Sequence, residues 1–159
     1  MNFMHKWIVP LFCIAFALFT FSQTGKESKN SNLIKAYQAV NKKVRYADSL
    51  SAIADDDTAK FVISDMANKD ALKGLSQLLP LLQKSGLDSL LLLAATQAGI
   101  INHNFDSLDA ALANYTSVLK IKEKLPHLQD SLIFQPLIFA GSIFYTNGNF
   151  DSAFFYLKK

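Results

Sequence analysis

Apolar positions along this chain keep the period of helices rather than strands. Ala71, Leu72, Leu75, Leu78, Leu79 and Leu82 recur at intervals of three and four, as do Leu108, Ala111, Leu112, Tyr115, Val118 and Leu119. Such spacing lines one face of a helix with apolar side chains and leaves the other face to water. Lys120, Lys122, Glu123 and Lys124 gather where the second stripe ends, and the lysines there complement the negative end of the helix dipole. No stretch shows the period-two alternation between turn clusters that marks strands. The pattern predicts an all-α fold.

A longer period overlies the helical one. Asp-Ser-Leu begins at Asp48, Asp88 and Asp130, spaced 40 and then 42 residues. Eleven residues after each Asp stands a small residue (Ala59, Gly99, Gly141), and twenty-three after it an alanine (Ala71, Ala111, Ala153). A fourth Asp-Ser-Leu, at Asp106, falls outside this register. Antiparallel helix pairs need small side chains where their backbones approach, and an Asp at a helix start can cap exposed N–H groups and face the positive dipole end. Fixed periods of this length mark arrays of helix pairs. The expected copies are residues 48–87, 88–129 and 130–159, the last incomplete. Ser85 and Gly86 supply a helix stop before Asp88, whereas no break precedes Asp48. Pro80 is expected to kink its helix, and Pro136 to delay the start of the helix after Asp130. In the second copy, Asn104, Phe105, Asp106 and Ser107 echo Asn149, Phe150, Asp151 and Ser152, but three residues out of phase with the Gly/Ala spacing. Both registers stay open.

From Gly141 onward the chain resembles a tetratricopeptide (TPR) repeat. Gly141 takes the small first-helix position and Phe144 and Tyr145 the aromatic pair. Asn147, Gly148 and Asn149 make the turn, and Phe150, Ala153, Tyr156 and Leu157 follow on the second helix. The resemblance extends back to about Asp48 and weakens towards it, and the period exceeds the family's usual 34 residues. It implies antiparallel helix pairs stacked as a short TPR-like solenoid, with a groove lined by first-helix positions. Here these would be Thr96, Ile100, His103, Asn104, Gln135, Ile138, Ser142, Tyr145 and Thr146. Family members that grip C-terminal carboxylates use basic clamps, which these positions lack. A mildly apolar, hydrogen-bonding groove suits a peptide or protein segment.

The N-terminus carries a different pattern. Lys6 precedes an uncharged apolar run over residues 7–21, the length of a signal-peptide core and short of the roughly 20 residues a bilayer span needs. Thr20 and Ser22 place small residues before a cleavage point at Gln23. The expectation is a signal peptide over residues 1–22, a flexible polar leader over 23–31 and the helical domain over 32–159. The protein would then be exported, periplasmic or extracellular, with no membrane span after cleavage. Cys13, the only cysteine, falls in the removed segment, so the mature chain would have no disulfide, thiolate metal site or thiol nucleophile.

Charge and chemistry narrow the function further. Of sixteen Lys and Arg, only Lys6 lies in the expected signal peptide, and the other fifteen face thirteen Asp and Glu. The densest basic spot, Lys42, Lys43 and Arg45, reads as a solvated helix face, not a nucleic-acid patch. Asp55, Asp56 and Asp57 lack the alternating ligands, glycine and late glutamate of a calcium loop. His103 and His127 stand near turns without a second ligand at helical spacing. Neither a Gly-x-Ser-x-Gly elbow, nor a phosphate loop, nor a dinucleotide fingerprint occurs. The reading is a binding protein without cofactor or metal, not an enzyme. It is similar to the exported N-terminal TPR regions of bacterial histidine kinases and transcription regulators. The alternative is a small secreted scaffold that self-associates through its aromatic C-terminal end, where Phe144, Tyr145, Phe150, Phe154, Phe155 and Tyr156 are mostly expected in the core.

Overall fold

The apolar stripes become the buried faces of helices in a computed structural model that describes residues 5–53 and 58–158, with side chains from Ser28 onward. The order is α1 (His5–Ile53), α2 (Thr58–Ser85), α3 (Asp88–Asn104), α4 (Leu108–Lys124), a 3-10 turn (Asp130–Ile133), α5 (Phe134–Thr146) and α6 (Phe150–Leu157). No strand occurs among the described residues. Consecutive helices pack as pairs, α1 with α2, α3 with α4 and α5 with α6, and α3 also meets α1, α2 and α5.

Burial follows the predicted period. Ala71, Leu75, Leu78 and Leu82 on α2 are buried with Tyr37 and Val44 of α1 and Leu91, Ala94, Ala98 and Ile101 of α3. Ala111 and Tyr115 on α4 close on Ala140 and Ile143 of α5, while Val118 joins Leu92 and Ala95 of α3. Small side chains stand where helices approach. A methyl group built on Gly99 would sit in the Tyr115 ring, 2.8 Å from its Cδ1, and one on Gly141 would lie 2.7 Å from Leu157 Cγ.

The two later pairs share one turn. Phe105, Asp106, Ser107 and Ala111 donate their N–H groups to the carbonyls of Ile101, His103, Asn102 and Ser107 at 2.9–3.1 Å. Each bond has its counterpart 42 residues on, where Asn147, Gly148, Asn149 and Ala153 donate to Ile143, Tyr145, Phe144 and Asn149 at 2.9–3.1 Å. The left-handed position is Asp106 (φ 57) in one turn and Gly148 (φ 73) in the other. The Gly/Ala spacing is therefore the structural register, and the Asn-Phe-Asp-Ser echo is not. One difference remains: Asn149 caps α6 by accepting from Ser152 N–H at 3.1 Å, whereas Ser107 makes no side-chain cap on α4.

The first pair is built otherwise. Asp48 lies inside α1 and Ala59 at the exposed start of α2, so only Ala71 takes a position like its later counterparts. Val40 against Gly74, the Lys43–Asp70 ion pair (2.8 Å) and the Ser51–Ser64 hydroxyl contact (2.6 Å) set α1 antiparallel to α2. Residues 23–31, read from sequence as a flexible leader, lie within α1. The side chains of residues 1–22, including Cys13 and the cleavage point, lie outside the described residues, as do Asp55, Asp56 and Asp57. No helix among the described residues is long and apolar enough to cross a membrane.

The expected aspartate caps do not form. Leu87 and Gln129 precede the relevant helices without a side-chain cap, and Asp88 and Asp130 stand one place later, in the first turn. There they face the helix dipole without reaching a backbone N–H. Gly86 (φ 75) ends α2, and Ser85 Oγ accepts from Leu87 N–H at 3.2 Å. Pro80 is carried inside α2, which runs on to Ser85. Pro136 sits in the first turn of α5, where its missing N–H has no helical acceptor to lose.

Candidate functional site

Three first helices, α1, α3 and α5, lie side by side. Gln97 of α3 bridges to α1, its Nε2 donating to Asn41 Oδ1 at 2.7 Å while Tyr37 Oη donates to its Oε1 at 3.5 Å. Burial pushes the Tyr37 hydroxyl's pKa up, opposed by the Arg45 charge and the Gln97 hydrogen bond. On the other flank of α3, the His103 ring meets the Phe139 ring of α5 edge-on, with centroids 5.5 Å apart.

The nine groove positions divide in two. Gln135, Ile138, Ser142, Tyr145 and Thr146 form an exposed stripe along α5, as three- and four-residue spacing dictates. Thr146 Oγ1 turns back to donate to the Ile143 carbonyl at 3.0 Å. On α3, Asn104 is exposed, but Thr96 is buried, and Ile100 and His103 are half-buried against neighbouring helices. Thr96 Oγ1 finds no hydrogen-bond partner among the described residues. These α3 side chains hold helices together, and the accessible face is carried mainly by α5 and α1.

The α1 contribution was missed because the sequence register began the first copy at Asp48. Beside Asn41, α1 presents Lys35, Gln38, Lys42 and Arg45 around a shallow depression of about 500 Å³. The spot read as a solvated face is thus also the α1 end of the shared surface. A clue was available: the stripe of Leu33, Tyr37, Val40, Val44 and Ala47 keeps helical spacing upstream of Asp48. A second cleft, of about 620 Å³, opens between α2 and α4 over α3. Leu79, Pro80, Leu91 and Ala95 give it apolar walls, and Lys120 and Lys124 stand on its α4 side. Nothing in the apolar spacing signalled it, since it depends on how α2 and α4 diverge.

Several chemical readings have a structural address. His127 is exposed in the loop after α4, and His103 is engaged with Phe139. No cluster of three or more His, Cys, Asp or Glu able to hold a metal occurs among the described residues. Among the aromatics expected in the core, Phe144 and Tyr156 pack between α5 and α6, stacked 5.3 Å apart at 8°, and Tyr145 of α5 meets Phe150 of α6 edge-on at 5.5 Å. Tyr145, Phe150, Phe154 and Phe155 are nonetheless exposed. No family model matches the sequence, and neither a curated protein nor a solved structure matches it.

Proposed function

We propose that this chain is an exported TPR-like binding module that holds a peptide or protein segment across the face shared by α1, α3 and α5. The supporting observation is the side-by-side placement of these helices, which joins two chemistries on one surface. At α1 stand Lys35, Lys42 and Arg45, at the centre the Asn41–Gln97 pair, and at α5 the exposed Ile138, Ser142 and Tyr145. A segment with acidic groups at one end and apolar groups at the other satisfies both ends, since rim charges steer a partner and aromatic side chains anchor it. The 42-residue recurrence of turn and close approach supports the TPR-like reading. Residues 1–22 act in this reading as the export signal, and a mature N-terminus at Gln23 on protein recovered outside the cytoplasm checks that part.

Selection of displayed peptides on the chain tests the binding role. Enriched peptides should pair acidic with apolar residues. Lys42→Glu with Arg45→Glu, and separately Tyr145→Ala, should each weaken a selected peptide about tenfold, or about 1.4 kcal/mol. All three side chains are exposed, so circular dichroism should not change. Selection of no peptide, or of peptides indifferent to these substitutions, overturns the reading.

A further inference from the structure

The 42-residue correspondence also says what belongs on the far side of α5 and α6. On the α3–α4 pair, Phe139 of α5 stacks on Tyr115 at 5.8 Å and meets His103 edge-on at 5.5 Å. Leu108 and Leu112 pack beside it against Ala140 and Ile143. The counterparts of His103, Leu108, Leu112 and Tyr115 are Tyr145, Phe150, Phe154 and Leu157. All four are apolar or aromatic, and all four are 57–66% exposed. Tyr115, by contrast, is fully buried. The backbone places these side chains alike, as the matching turns show; what differs is that α5 covers the first set. A contiguous apolar patch of this kind marks an interaction site.

We infer that the end face formed by Tyr145, Phe150, Phe154 and Leu157 docks a further amphipathic helix with the chemistry of α5, an aromatic ring followed by small residues. The occupant sets its ring between Tyr145 and Leu157, as Phe139 sits between His103 and Tyr115. One departure refines it. Ile100 packs against the α4–α5 cluster, but its counterpart is Ser142, so the occupant places a hydrogen-bonding group there. The inference rests on the repeat reading through the 42-residue register. Tyr145 and Ser142 stand at the edge it shares with the α1–α3–α5 face, whereas Phe150, Phe154 and Leu157 belong to the end face alone.

The test supplies such a helix in register. The full chain is extended after Lys159 by a second copy of residues 118–158, which preserves the 42-residue offset. Asp151→Glu in the appended copy separates its fragments by mass. Hydrogen exchange of α6 in its original position should slow at least tenfold relative to the unextended chain. Phe150→Asp with Phe154→Asp in the original copy should restore fast exchange and release the appended helices. An appended copy that exchanges like unfolded chain overturns the inference, because the same sequence folds against α3 and α4. So does protection that survives the double substitution. If the unextended chain sediments as a dimer that Phe150→Asp with Phe154→Asp dissociates, a second copy is the occupant and the inference also fails. Lys42→Glu with Arg45→Glu should leave the exchange result unchanged, so the two readings fail separately.

Discussion

Two glycines in matching places meet different neighbours. Tyr115 over Gly99 is fully buried and stacked on Phe139, so its ring cannot retreat from an added methyl group. Gly99→Ala gains about 1 kcal/mol of helix propensity but overpacks the site at about 1–3 kcal/mol. A net loss of about 1 kcal/mol is expected in urea unfolding. Leu157 over Gly141 is 57% exposed and free to turn outward, so Gly141→Ala should be neutral or stabilising by up to about 1 kcal/mol. Tyr115 adds a pH signature. Its hydroxyl is buried without a hydrogen-bond partner among the described residues, and burial pushes its pKa up to about 12. Below about pH 10 both folded and unfolded states keep the proton, and stability does not depend on it. Between about 10 and 12 the unfolded chain releases the proton first, so stability falls as pH rises, with a ceiling of about 1.4 kcal/mol per unit. Tyr115→Phe should remove that slope and, by deleting an unpaired buried hydroxyl, raise stability at neutral pH by about 1 kcal/mol. A smaller slope of the same sign should persist from Tyr37, whose pKa burial also raises. Denaturant melts at pH 8 and 11 on both proteins check this.

At the scale of elements, loops are held by side chains whose role only the folded chain displays. Lys122 was read from sequence as one of several cations at the end of α4. Its ammonium donates to the carbonyls of Pro126 (2.9 Å) and Leu128 (2.5 Å) and pairs with Asp130 at 3.0 Å. Lys120 and Lys124 instead line the α2–α4 cleft. The Lys122 side chain is 11% exposed and that of Asp130 86%. Lys122→Met should therefore cost about 2 kcal/mol through lost charge-assisted bonds, against less than about 1 kcal/mol for Asp130→Asn. Thermal melts of the two variants compare them. Helix identity was legible because apolar spacing is a local signal. The later register, open between the Gly/Ala spacing and the Asn-Phe-Asp-Ser echo, was decided only by the matching turn hydrogen bonds. The first pair was not legible. The sequence between Ile53 and Thr58 holds none of the Gly or Asn found in the turn before α6, while Asp-Ser-Leu at Asp48 imitated a helix start inside α1. Ile100 and His103, which spacing places on one face of α3, are half-buried for a related reason: only tertiary packing brings Phe139 across that face.

For the molecule as a whole, cohesion is uneven. α3 touches α1, α2, α4 and α5, whereas α6 packs on α5 and leaves its outer rings in water. In a stack where each pair is stabilised by its neighbours, stability declines towards an uncovered end. Backbone amides of α6 should therefore exchange first and those of α3 last, with α5 between them. The gradient should respond to the core unequally. Ile101→Ala, at a side chain 2% exposed, removes packing from the helix the others share and should cost about 2–5 kcal/mol, speeding exchange in α2, α3 and α4 together. Ile143→Ala removes an equally buried side chain from α5, yet it should accelerate α5 and α6 while leaving α2 nearly unchanged. Equal acceleration everywhere by both substitutions would mean a single cooperative unit. α6 would then be as protected as α3, and its exposed aromatics would not be the weak margin that a covering helix has to stabilise.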